Sequence, residues 1–145
     1  MMESFNILQV EDNPGDIELT PIALSDTKLN INHTVVEDGQ EALNYLYQKG
    51  QYKEADLPDI ILLDLNLPKC NGHEVLKTIK SDQDRMEIPI IIFTSSEAPI
   101  DITESYHLRA NCFLSKPVDL DKFMGVIDTL REFWSETACL YNEST

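Results

Sequence analysis

A chain of 145 residues, 42% hydrophobic and 26% charged, suits one domain with a full core and leaves little room for a second. Its formal net charge of -15 argues against direct contact with nucleic acid, whose phosphates call for Lys and Arg clusters, and is read as solubility. No apolar run is long enough to span a bilayer, and no basic segment leads into a long apolar core at the N-terminus; a cytoplasmic chain without membrane association is expected.

Asn6-Ile7-Leu8-Gln9-Val10 reads as a first strand. A helix follows Pro14-Gly15-Asp16, but Pro21 inside it removes one backbone hydrogen bond, so a kink or a start near Thr20 is expected. Thr34-Val35-Val36 reads as a second strand, and Gln40 to Lys49 carries Ala42, Leu43, Leu46 and Tyr47 at helical spacing. Ile60-Ile61-Leu62-Leu63 and Ile90-Ile91-Ile92-Phe93 do not alternate with polar residues, the pattern of strands buried on both faces. Between them, Val75, Leu76 and Ile79 form one helical face. Ile102 and Tyr106 suggest a shorter helix before Cys112-Phe113-Leu114, the fifth strand. The last helix is the clearest: Asp119 is its N-cap, and Leu120, Phe123, Met124, Ile127, Leu130 and Trp134 form one apolar stripe. Strand–helix alternation repeated five times predicts an α/β fold. The expected form is a five-stranded parallel, doubly wound, flavodoxin-like sheet with strand order 2-1-3-4-5. Cys70, Cys112 and Cys139 show no CxxC spacing, so free thiols are expected and not a zinc site or a disulfide. His33, His73 and His107 fall on different elements and are read as structural or surface residues.

In an open parallel sheet the site lies at the carboxyl ends of the strands, where the strand order reverses. For this order that point lies between strands one and three, which end in Val10-Glu11-Asp12 and Leu63-Asp64. Three carboxylates therefore meet in one crevice. They repel one another at low dielectric, and a hard divalent cation such as Mg2+ is the natural neutraliser. The fifth strand ends in Leu114-Ser115-Lys116-Pro117 and would point Lys116 into the same crevice; the fourth ends in Phe93-Thr94-Ser95-Ser96 and supplies hydroxyls. That assembly suits phosphoryl transfer onto a carboxylate, which needs no general base because it is already a nucleophile. What remains is positioning and charge neutralisation, with Mg2+ and Lys116 on the transferring oxygens and Thr94 donating a hydrogen bond. Any one of these residues alone would be an ordinary turn, cap or surface residue. Their joint occurrence, each at the correct strand end, carries the argument.

Glu11-Asp12, Asp64, Thr94 and Lys116-Pro117, in this order and at these strand ends, resemble the response-regulator receiver domain of two-component signalling. The resemblance spans about Phe5 to Trp134 and treats residues 1–145 as a single, stand-alone receiver domain with a short C-terminal tail. It implies that Asp64 accepts a phosphoryl group from the phosphohistidine of a histidine kinase. It implies that Glu11, Asp12, Asp64 and the backbone carbonyl of Asn66 hold Mg2+, or Mn2+ in its place. It also implies that Thr94 and Lys116 contact the phosphoryl group, and that Phe113 is the aromatic that rotates inward on activation. From the residues alone, Phe113 stays open between core and switch. Two departures stand out: Glu11 replaces the commoner Asp, and Phe113 lacks the hydroxyl of the usual Tyr.

A narrower resemblance rests on Glu11-Asp12-Asn13-Pro14-Gly15-Asp16, Asp64-Leu65-Asn66-Leu67-Pro68, the long Gln48 to Pro58 connection and Phe133-Trp134. These are similar to single-domain regulators paired with bacterial phytochrome kinases, which implies a phytochrome as donor. The implied output is a population shift that remodels the surface of helix 4, strand 5 and helix 5. Val126, Leu130 and Phe133 form a second apolar row there, which reads equally as a wide core face or as an interface; a homodimer through it is the hypothesis for the second reading. The chain is expected to act on no outside substrate, promoting only its own phosphorylation and dephosphorylation. Two rivals fit less well. An aspartyl phosphatase of the haloacid dehalogenase type needs a general acid where Asn66 stands, and a flavodoxin-like cofactor module needs a phosphate-cradling loop where Glu11-Asp12 stand.

Overall fold

Why the chain alternates strand and helix is visible in the computed structural model, which describes residues 4–24 and 30–116 and positions 121, 122, 125 and 128. Five strands form one parallel sheet: β1 (Ser4–Val10), β2 (Asn30–Val36), β3 (Ile60–Leu63), β4 (Ile90–Thr94) and β5 (Cys112–Ser115). The order is β2-β1-β3-β4-β5, as expected from the alternation. Four helices link them: α1 (Pro14–Leu24), α2 (Gly39–Leu46), α3 (Gly72–Lys80) and α4 (Pro99–His107). Asp121, Lys122, Gly125 and Asp128 are also helical. The apolar stripe and second row expected on that last helix lie outside the described residues, as does Cys139. Right-handed crossovers put α1 on one face of the sheet and α2, α3 and α4 on the other, because β1 to β2 steps opposite to every later connection.

Successive strand residues point to opposite faces, so each strand feeds two cores. Leu8, Val10, Ile61, Leu63, Ile90 and Ile92 pack against Ala42 and Leu46 of α2 and Val75, Leu76 and Ile79 of α3. Phe5, Ile7, Ile60, Leu62, Ile91 and Phe93 form the opposite core. β3 and β4 are buried along their whole length, which is why they read as unbroken apolar runs.

Local chemistry sets the helix ends. Asp38 caps α2 by accepting from the Glu41 amide at 2.7 Å, and Asn71 caps α3 by accepting from the Glu74 amide at 3.0 Å. Three local expectations are corrected. α1 begins at Pro14 and runs through Pro21. Asn13 accepts from the Asp16 amide at 3.1 Å, and Pro14 at the first helical position needs no donor, so the start is well specified. α2 ends at Leu46 and not at Lys49, because Gln48 turns left-handed with φ of 55°. On α4 the buried residue is Ser105, while Tyr106 is half exposed and its hydroxyl accepts from the Phe113 amide at 3.1 Å on the sheet edge.

His33 on β2 meets the Gln9 side chain of β1 at 2.8 Å between Nε2 and Oε1, and burial holds its pKa below the ordinary histidine value. A lowered folded pKa means the unfolded chain takes up the proton first on acidification. This group therefore stabilises the fold fully above about pH 6.5, and the contribution declines as pH falls below that. His33→Gln should show a smaller loss of unfolding free energy than the parent between about pH 7.5 and about pH 5.5, measured by urea titration. Equal losses would contradict it.

Candidate functional site: a carboxylate crevice closed by one lysine

The sheet brings the ends of β1, β3, β4 and β5 together at its carboxyl edge. Asp64 follows β3 directly; its side chain is buried, and its amide donates to the Val10 carbonyl of β1 at 3.1 Å. Oδ1 accepts from the Thr94 hydroxyl at 2.8 Å and the Asn66 amide at 3.1 Å, while Oδ2 accepts from Lys116 Nζ at 3.2 Å. Thr94, the last residue of β4, is fully buried, so its hydroxyl has one direction in which to donate. Glu11 follows β1 and is buried; its Oε1 accepts from Lys116 at 2.5 Å and its Oε2 from the Asn13 amide at 3.2 Å. Asp12 is exposed at the mouth. Glu11, Asp12 and Asp64 each offer a carboxylate oxygen, and the three oxygens lie within 4.8 Å of one another. Such a set of hard oxygen donors suits Mg2+ or Mn2+.

Lys116, immediately after β5, is the cation paired with this cluster among the described residues. Its ammonium also lies 5.3 Å from the centre of the Phe93 ring. Burial alone would lower its pKa, but hydrogen bonds to Asp16 and Glu11 and the charges of Asp64 and Glu11 outweigh that and hold it above the ordinary lysine value. Burial pushes Glu11 up to about 7, with the Asp64 charge adding to it against the pull of Lys116. Burial would also raise Asp64, but the Asn66 amide, Glu11, Lys116 and Thr94 outweigh it and hold Asp64 below the usual carboxylate range. Asp64 is thus the carboxylate that stays ionised, as a nucleophile should be.

Each residue expected from the strand ends is in the crevice or at its rim. Asn66 is exposed and reaches Asp64 through its backbone amide; Phe113 on β5 is half buried against the α2–α3 core. His73 bonds Ser105 of α4 at 3.2 Å, outside the crevice. The residue that the strand-end reasoning misses is Asp16. Its Oδ2 accepts from Lys116 Nζ at 2.8 Å. Its signal in the sequence is weak but real: side chains in a helix's first turn lean back toward the preceding strand end, so the third helical residue after Asn13 can face what Glu11 faces.

The model of the response regulator receiver domain matches residues 7–128. The chain belongs to that family. As a receiver domain it is a signalling module partnered by histidine kinases. The structure of the phosphorylated cyanobacterial phytochrome response regulator RcpA is 42% identical and superposes with a TM-score of 0.85, covering 96% of this chain and 99% of that one. Response regulator Rcp1 of Synechocystis sp. is 37% identical over 134 residues, 92% of this chain and 91% of the relative. Its Mn2+-bound crystal structure superposes with a TM-score of 0.82 over 94% of this chain and 98% of that one. The bacteriophytochrome response regulator AtBRR is 42% identical with a TM-score of 0.77 over 96% and 99% of the two chains. The acidic pocket of this receiver domain, Glu11, Asp12 and Asp64, matches the chemistry by which the family binds Mg2+ or Mn2+.

Proposed function

We propose that Asp64 is the phosphoacceptor of a stand-alone response regulator. The observation that carries this reading is the split environment of one ionised carboxylate. Thr94 and the Asn66 amide hold one oxygen, Lys116 holds the other, and Glu11 and Asp12 stand alongside. A carboxylate oxygen of Asp64 attacks phosphorus, the phosphorus–nitrogen bond of the kinase phosphohistidine breaks, and the imidazole leaves with its electron pair. Glu11, Asp12, Asp64 and the Asn66 carbonyl would hold Mg2+, which when bound supplies charge neutralisation for the phosphoryl oxygens. Lys116 and Thr94 then hydrogen-bond the phosphoryl group.

Thr94 cannot serve a phosphoryl oxygen and keep its present 2.8 Å bond to Asp64 unchanged, so the β4–α4 connection follows it. Phe113 takes up the space vacated. The result is a population shift at the surface of α4, β5 and the fifth helix. Contact with other proteins through that surface is the output, with a homodimer as one such contact. The likeness to RcpA, Rcp1 and AtBRR supports a phytochrome histidine kinase as donor and a cytoplasmic setting. No helix among the described residues is long and apolar enough to cross a membrane.

Incubation with acetyl phosphate and Mg2+ should add one phosphoryl mass to the intact chain. Asp64→Asn should remove the adduct, since an amide is not a nucleophile toward phosphorus. An adduct that persists in Asp64→Asn, or none in the parent with any donor, would sink the assignment.

A further inference from the structure

An ammonium group has three N–H donors, and Lys116 has committed all three. They run to Glu11 Oε1 at 2.5 Å, Asp16 Oδ2 at 2.8 Å and Asp64 Oδ2 at 3.2 Å. The longest runs to Asp64, so the ammonium sits closer to Glu11 and Asp16 than to the carboxylate it would serve. A phosphoryl oxygen on Asp64 needs one of these donors at short range, and one of the other two acceptors has to yield.

Two observations single out Asp16 as the carboxylate that competes with a phosphoryl group for the lysine. It lies outside the close set of Glu11, Asp12 and Asp64, so a cation held by those three engages Glu11 but leaves Asp16 on the ammonium. Its side chain also keeps 28% exposure against 1% for Glu11, so water can replace the ammonium at Asp16 when it leaves. The position of Asp16 is itself well fixed. Its amide is held by the Asn13 side chain, Pro14 presets the first turn of α1, and the Thr20 hydroxyl donates to the Asp16 carbonyl at 3.3 Å.

We infer that Asp16 is a positioning residue: it holds the Lys116 ammonium toward α1 in the unphosphorylated chain, and a phosphoryl group on Asp64 has to win the lysine from it. This role rests on Asp64 being the phosphoacceptor. It makes Asp16 a brake on the activated arrangement, set by competition for one cation between two carboxylates. Removing the brake favours the activated arrangement; restoring a carboxylate restores it.

The test is calorimetric titration of the full chain with beryllofluoride, a phosphoryl mimic, at saturating Mg2+. Asp16→Asn should bind it about fivefold to tenfold tighter than the parent, the scale of one partly exposed charge-assisted hydrogen bond. Asp16→Glu should return to within about twofold of the parent, because the carboxylate is what competes. Circular dichroism screens for folding, and Asp16→Ser replaces the Asn variant if that one fails. Asp64→Asn should bind no beryllofluoride. If Asp64→Asn binds like the parent, the phosphoacceptor assignment itself fails. If Asp64→Asn is silent while Asp16→Asn binds no tighter than the parent, only the brake is overturned.

Discussion

Lys116→Met is expected to destabilise the metal-free chain by roughly 2–3 kcal/mol at neutral pH and to slow phosphorylation by acetyl phosphate about a hundredfold. Both effects come from one ammonium that is 8% exposed and shared by three carboxylates. Removing one partner of a buried ion pair ordinarily costs about 3–5 kcal/mol. The expected loss is smaller because Asp16 is partly exposed and can be rehydrated, and because Glu11, already raised to about 7, can take up a proton. The sign with pH follows. Without the lysine the folded chain binds protons that the unfolded chain releases, so the variant loses stability as pH rises and the gap to the parent widens. Millimolar Mg2+ should narrow the gap, since the cation replaces the missing positive charge among Glu11, Asp12 and Asp64. The rate effect is separate: a donor aimed at the transferring oxygens is worth about a hundredfold in such sites. Urea titrations with and without Mg2+ measure the first effect, and mass-resolved phosphorylation time courses the second. A variant as stable as the parent in metal-free buffer would show that these carboxylates do not depend on the lysine.

The crevice was legible because its members sit at the ends of strands that the sequence marks strongly. β3 and β4 are buried on both faces and appear as unbroken apolar runs, so the residues that follow or end them, Asp64 and Thr94, are placed by the topology rule alone. Lys116 follows by the same logic, one strand further along. Asp16 was not placed this way. It is a helix residue, and its meeting with Lys116 spans 100 positions of chain and depends on how α1 sits across the sheet edge. Helix starts and stops were harder still. Pro21 suggests a broken α1, yet the Asn13 cap and Pro14 specify the first turn before Pro21 is reached. α2 stops at a left-handed Gln48, a conformation no glycine announces in the sequence. Tyr106 has the spacing of a core residue, but its hydroxyl serves the free backbone edge of β5, and so the ring is half exposed.

Gly39→Ala is the substitution expected to harm the fold most, and the reason is equally invisible in the sequence. A Cβ at Gly39 would lie 1.7 Å from the Cys70 carbonyl oxygen and 2.6 Å from its carbon, both backbone atoms with no rotamer to yield. Gly72 is similarly tight, with a Cβ 2.3 Å from the Asp64 carbonyl oxygen and 2.6 Å from the Leu65 Cα. These two glycines let the first turns of α2 and α3 close directly on the β3–α3 loop, where Gly39 also donates its amide to the Pro68 carbonyl at 3.4 Å. Alanine gains about 1 kcal/mol of helix propensity over glycine, which cannot offset a backbone overlap of that depth. A net loss above about 3 kcal/mol is expected, read as a lower urea midpoint. The consequence reaches the crevice. The loop that has to move carries Leu65 and Asn66, and the Asn66 amide is one of the donors holding Asp64 ionised. A Gly39→Ala chain that still folds should therefore also phosphorylate more slowly than the parent under identical acetyl phosphate and Mg2+. A variant with lowered stability and an unchanged rate would mean that the loop shifts without moving Asn66 and that its amide still holds Asp64.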